Sequence, residues 1–207
     1  MLSNVIVRFK DFATMQLRIA RYKNDKSFPS CMKVIAFTGM PGSGKSEAVR
    51  VAREIGIPVV RMGDCVWEEV KKRGLELNDE NVGRIANEMR EKHGMDIWAR
   101  RTLEKIDPSW DKVVIDGVRN IEEVDFFRKK LGKDFMLVAI HASPETRYKR
   151  LIERKREDDS TTLEKIKERD ERELRWGIGV LIALADVIIV NEGSLEEFRE
   201  RVKNLLI

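Results

Sequence analysis

Cysteine and histidine are nearly absent, two of each in 207 residues, and that scarcity removes several kinds of chemistry. Cys31 and Cys65 stand at no metal-binding spacing and are too few for a disulfide framework, so a reducing cytoplasm is the expected compartment. His93 and His141 have no partners at catalytic spacing, which leaves no histidine-based nucleophile to argue for. Long hydrophobic runs are missing too. The longest, around Val180 to Val190, is broken by Asp186 and falls short of the ~20 residues that cross a bilayer, so no membrane partner is expected. There is no export signal, internal repeat or low-complexity segment. The main body also lacks net charge. Residues 1–31 hold six Lys/Arg and two Asp, which accounts for the whole net charge of +4, and residues 32–207 carry 34 charges of each sign. A neutral body argues against a nucleic-acid partner despite a sequence pI near 9.0.

What is present is more telling. Gly39, Met40, Pro41, Gly42, Ser43, Gly44, Lys45 and Ser46 form an uninterrupted G-x-x-x-x-G-K-S/T phosphate-binding loop, directly after the apolar run Val34 to Phe37. Glycines there let backbone N–H groups turn inward around phosphates, and the helix that follows presents the positive end of its dipole. Lys45 is then placed for the β/γ-phosphates, and Ser46 supplies a hydroxyl for Mg²⁺. These residues and Glu47 are the expected nucleotide contacts. A second apolar run, Lys112 to Ile115, ends in Asp116, the form taken by the carboxylate that helps hold Mg²⁺ opposite such a loop. ATP and Mg²⁺ are thus the expected cofactors.

From Met32 onward, strand-length apolar runs alternate with charged helical stretches, which predicts a three-layer α/β/α P-loop NTPase domain over residues 32–207. The five parallel strands expected are Val34 to Phe37, Ile57 to Arg61, Lys112 to Ile115, Phe135 to Ile140 and Val187 to Val190. A helix from Lys45 to Glu54 stops at Gly56, Pro144 reads as a first-turn proline, and Thr161 to Glu164 and Ser194 to Glu197 read as capping boxes. Two stretches exceed a simple crossover. Residues 64–106 read as about three helices forming an acceptor-binding module, and residues 144–176 as a lid. Residues 1–31 are a basic extension of open status. Asp11 to Lys23 fits a basic amphipathic helix with Phe12, Met15, Ile19 and Tyr22 on one face, as in a transit peptide, but Met32, just before the first strand, is the preferred start, which makes residues 1–31 an expected overextension or arm. Mass spectrometry of the native amino terminus decides between them.

The loop at Gly39 to Ser46 resembles that of nucleoside monophosphate kinases. Met62-Gly63-Asp64 is similar to the Gly-Asp that opens their acceptor-binding helices, and Asp116-Gly117-Val118-Arg119 is similar to their Asp-Gly-x-(x)-Arg. Ala185 to Glu197 instead resembles the last strand and helix of dephospho-CoA kinases. With Arg169 to Leu174 and Trp176 to Gly179, the combination resembles the archaeal adenylate-kinase-related, dephospho-CoA-kinase-like family over residues 32–207. That resemblance implies an ATP- and Mg²⁺-dependent kinase acting on a small phosphorylated nucleotide, with Lys45, Ser46 and Asp116 on donor and metal and Gly63, Asp64 and Arg119 near the acceptor. After the last strand, Asn191 to Gly193 are expected to form a loop that makes backbone contacts to the nucleotide base. A 3′-kinase of dephospho-CoA and a regulatory NTPase without a small acceptor are the alternatives.

The departures fall at the acceptor. Adenylate kinases place an Arg three residues after the Gly-Asp aspartate, where this chain has Trp67, open to either base stacking or a core position. Arg84, Arg90, Arg100 and Arg101 are candidate replacements. In the lid, Arg147, Arg150 and Arg154 recur at spacings of three and four, which lets several share one helix face, with Arg156 two residues beyond, and Arg150 and Arg154 are the expected closing arginines. Arg156 to Asp159 resembles the Arg-x-Asp-Asp of uridylate/cytidylate kinases, with the next arginine, Arg169, two residues farther along. An arginine at this point is worth ~10³ to 10⁵ in phosphoryl-transfer rate.

Overall fold

The computed structural model describes residues 32–154 and 162–207. The expectations placed on residues 1–31, on Arg156 to Asp159 and on Thr161 lie outside the described residues.

Five strands form one parallel sheet: β1 (Lys33–Thr38), β2 (Val59–Arg61), β3 (Lys112–Asp116), β4 (Phe135–His141) and β5 (Val187–Val190), in the spatial order β2-β3-β1-β4-β5. The central strands read as continuous apolar runs because both of their faces are covered. Alternate residues of β1 enter different cores. Val34 and Ala36 join the larger one, with residues of α2 (Met62–Lys72), α3 (Asp79–His93), α4 (Ile97–Leu103), α5 (Ile121–Leu131) and α8 (Ile178–Ala183). Ile35 and Phe37 join the smaller one, with α1 (Lys45–Glu54) and α9 (Leu195–Leu206). Together these make the three layers. The remaining helices, α6 (Pro144–Arg154) and α7 (Leu163–Arg175), lie in the stretch read as a lid.

One local boundary differs from expectation. Ile57 is not in β2, because its amide returns to the Ala52 carbonyl at 2.9 Å and Gly56 takes φ +80°, so the turn that follows α1 absorbs it. The N-cap of α7 is Thr162, whose hydroxyl accepts from the Lys165 amide. Ser194 does close a full capping box with Glu197 at the start of α9.

The topology places β1 between β3 and β4, where the strand order reverses. Ligands in open α/β sheets bind at this switch point, beyond the carboxyl ends of the strands. The loop after β1 and Asp116 at the end of β3 meet there, since Phe37 is in register with Asp116.

Candidate nucleotide and acceptor site

The loop between β1 and α1 is held in shape by residues outside it. Gly39 lies at φ +143° and Gly44 at φ +111°. A Cβ at Gly39 would run into the Ile140 carbonyl, and one at Gly44 into the Asn191 amide nitrogen, so neither the backbone angle nor the space admits another residue. Asn191 is buried and donates from Nδ2 to the Ser43 carbonyl at 2.8 Å. Its side chain therefore props the loop from behind, and its backbone N–H is spent on the His141 carbonyl at 2.8 Å. Arg147, expected in the lid row, is buried: it donates to the Pro41 carbonyl at 2.9 Å and grips Asp170 through both terminal nitrogens at 2.9 and 2.5 Å. It fixes α6 against the loop and α7.

A cavity of about 400 Å³ opens over this loop, walled by Gly39, Gly42, Lys45, Ser46, Glu47 and, across the sheet end, Asp116 and Gly117. The Lys45 ammonium folds back onto the Gly39 carbonyl and lies 3.3 Å from that of Met40. Burial pulls its pKa from 10.5 down to about 8, against the opposing pull of Asp116 and Glu173. Arg150, Arg169 and Arg119 line the same cavity, so cations reach it from α6, from α7 and from the turn after β3. Arg150 lies 3.5 Å from Asn191 Oδ1, and its Nη1 is buried with no hydrogen-bond partner among the described residues. Arg154 ends α6, and only its backbone is described.

A side cavity of about 220 Å³ adjoins it, and the two share Arg61, Gly63, Gly117, Arg119, Arg169 and Glu173 as walls. Gly63 borders both, whereas Asp64 lies beside them, 3.6 Å from Arg61 in the first turn of α2. Trp67 is 40% exposed and lines the side cavity with the Arg61 guanidinium 5.2 Å from its ring, so it is no core residue. Of the four candidate replacement arginines, Arg90 alone lines either cavity. Arg84 bonds Asn81, Arg100 pairs with Asp96, and Arg101 pairs with Glu69 over the Trp98 ring.

Several residues here were not singled out by sequence. Arg61, at the end of β2, stands 3.8 Å from Asp116 and 3.6 Å from Asp64 and so links the two carboxylates. Glu123 is fully buried, pairs with Arg90 at 3.2 Å and accepts the Arg119 amide at 2.8 Å. Burial pushes its carboxyl above the usual range, with Arg90 pulling the other way. Trp176 collects the guanidinium groups of Arg90, Arg119 and Arg172 at 5.5, 5.2 and 5.6 Å from its ring. The segment holding Arg172 and Trp176 carried the family resemblance, but only the fold shows that it faces α3.

Comparison with known proteins bears on family and fold. The AAA domain family AAA_17 matches residues 38–167. A UPF0200 protein of Methanosarcina mazei is 50% identical over 176 residues, 84% of this chain and 94% of the relative. A UPF0200/UPF0201 protein of Archaeoglobus fulgidus is 50% identical over 179 residues, and the match spans 85% of this chain but only about half, 55%, of that relative. Among solved structures, a shikimate kinase from Acinetobacter baumannii superposes with TM-score 0.53 at 17% identity, covering 86% of this chain and 96% of that one. TT1252 from Thermus thermophilus gives 0.54 at 19%, covering 84% and 96%. Such likeness shows a shared P-loop kinase fold. The specific tie to adenylate or dephospho-CoA kinases has no support among these relatives.

Proposed function

Because this chain belongs to the UPF0200 family and carries a P-loop kinase fold, we propose that it is an ATP- and Mg²⁺-dependent phosphotransferase acting on a small anionic acceptor in the cytoplasm. The observation that carries this reading is the pair of joined cavities. One surrounds the phosphate loop with Lys45, Ser46 and Asp116 on its wall, and the other opens from it across Arg61, Gly63 and Arg119. A nucleotide switch needs the first cavity. A kinase needs both.

Ser46 and Asp116 border the loop cavity and offer an all-oxygen donor set suited to a hard cation. They would hold Mg²⁺, which when bound neutralises charge on the phosphate chain. Lys45 would hold the terminal phosphates. Arg150 and Arg169, brought by the lid helices, would offset the charge that spreads over the moving phosphoryl group and, with the helices, exclude water. No side chain has to abstract a proton, since this chemistry runs on positioning and electrostatics.

The acceptor class suggested by Met62 to Asp64 and Asp116 to Arg119 is a phosphorylated nucleotide. The second reading, transfer to a hydroxyl as in dephospho-CoA kinases, is favoured by the run Ala185 to Glu197, which supplies β5, the loop brace Asn191 and α9. The test is ADP formation from Mg-ATP across nucleoside monophosphates, deoxynucleotides and dephospho-CoA, with Lys45→Ala as the blank. Acceptor-dependent turnover that Lys45→Ala lowers at least ~10²-fold is expected. Hydrolysis independent of acceptor would favour the regulatory NTPase. Transfer by Lys45→Ala within about threefold of wild type, under ~1 kcal/mol of barrier, would undo the loop assignment.

A further inference from the structure

The side cavity is more cationic than a slot for a neutral nucleobase or sugar needs to be. Five arginines and two glutamates line it. Three of those guanidinium groups converge on one ring, Trp176, from three separate elements: Arg90 from α3, Arg119 from the turn after β3 and Arg172 from α7. Like charges gathered this closely repel. Glu123 and Glu173 relieve part of that, since Arg90 Nη2 donates to Glu123 at 3.2 Å and Arg119 lies 3.8 Å from Glu173. The relief is incomplete at Arg90. Its side chain is only 6% exposed, yet Nε and Nη1 are buried with no hydrogen-bond partner among the described residues. A buried guanidinium with two unspent donor nitrogens is costly to leave so, and its planar fork matches an oxyanion.

Arg90 also borders the side cavity without bordering the loop cavity. A group held by it is therefore set back from Lys45, and phosphoryl transfer would take place nearer the shared walls, at Arg61, Gly63 and Arg119. We propose that Arg90, with Arg172 and the Trp176 ring, forms an oxyanion subsite for a phosphate or carboxylate that the acceptor carries apart from the oxygen receiving the phosphoryl group. This rests on the kinase reading above for the word acceptor, but the subsite itself stands on the geometry of the side cavity.

The test separates the two. With the phosphate loop filled by a non-hydrolysable Mg-ATP analogue, inorganic phosphate and malonate are titrated separately into the full chain at constant ionic strength, and binding is read by calorimetry and tryptophan fluorescence. Saturable binding of at least one probe is expected. Arg90→Met should weaken it at least tenfold. Arg90→Lys keeps a charge beside Glu123 but not the fork, so it should lose most of the same binding even if Arg90→Met does not fold. Tighter phosphate identifies a phosphorylated acceptor, tighter malonate a carboxylic acid. Once an acceptor is known, Arg90→Lys should raise its KM at least tenfold and leave the larger part of kcat, which a residue with only a structural role would not do. Absence of saturable binding by either probe, equal binding by wild type and Arg90→Lys, or binding only while the loop is empty would overturn the subsite. Arg90-dependent anion binding without transfer to any acceptor would instead sink the kinase reading and leave the subsite standing.

Discussion

Lys45 keeps a charge that burial works to remove, and its pKa of about 8 makes that tension measurable. Below pH 8 the ammonium is present to meet phosphates, and above it the free enzyme progressively loses it. The kcat/KM for Mg-ATP should therefore fall above about pH 8, approaching tenfold per unit, and because bound phosphates favour the charged amine, kcat should fall only at higher pH. Coincident limbs for the two profiles would show that Lys45 does not meet the phosphates. The same shift has a stability consequence. The unfolded lysine, near 10.5, holds a proton between pH 8 and 10.5 that the folded one has released, so this group favours the folded state more as pH rises through that window. Asn191 acts on the loop by geometry instead. Asn191→Ala removes the 2.8 Å bond to the Ser43 carbonyl, worth about 1 kcal/mol, and should weaken Mg-ATP binding about fivefold in titration calorimetry without unfolding the chain.

At the scale of elements, α6 and α7 are joined by a buried ion pair. Arg147 is 5% exposed and Asp170 8%, and Tyr148 Oη also donates to Asp170, at 3.1 Å. Asp170→Ala would leave the guanidinium buried without its counter-charge, which typically costs about 3–5 kcal/mol, whereas Asp170→Asn keeps an acceptor and should cost less. Urea unfolding reads both, and a loss under about 1 kcal/mol for Asp170→Ala would mean that the pair is open to water. Arg147 also shows what the arginine spacing could and could not say. A row at intervals of three and four allows Arg147 and Arg150 to share one face of α6, but it does not tell an inward strut from a cavity-lining cation. The strands were legible because β1, β3 and β4 are apolar runs largely buried on both faces, and β5, at the sheet edge with only Ile189 buried, is still an unbroken β-branched run. The start of β2 was not, because Ile57 is β-branched like Val59 and Val60, and only its amide's hydrogen bond to the Ala52 carbonyl ties it to the turn that follows α1.

Across the whole molecule, legibility followed contiguity. The loop cavity was readable because Gly39 to Ser46 is one motif and Asp116 ends one strand. The side cavity was not, because Arg61, Arg90, Arg119 and Trp176 come from four elements that only the fold brings together. Charge behaves the same way: a fraction of 37% Asp, Glu, Lys and Arg suggests a thermophilic protein, but its worth depends on whether the charges form networks. They do around α2, α3 and α4. Glu69 accepts from Arg73 at 2.9 Å and Arg101 at 2.8 Å, and Glu88 accepts from Arg73 at 3.0 Å and Lys92 at 2.7 Å, so one web ties α2, α3 and α4. The hydrogen bonds from Lys92 and Arg73 hold the Glu88 carboxyl at about 2, from 4.5. A depressed carboxylate stabilises the fold above its unfolded pKa and loses that contribution as pH falls toward the folded one, here between about 4.5 and 2. At pH 7 and low salt the melting temperature should exceed about 60 °C, decline as sodium chloride screens the web, and drop further as pH is lowered from 5 to 3. Glu88→Gln should lower the starting value and flatten the acid-dependent part of the curve. A wild-type midpoint below about 60 °C, or a Glu88→Gln curve parallel to wild type through the acid range, would show that these pairs are solvated charges that leave folding unchanged.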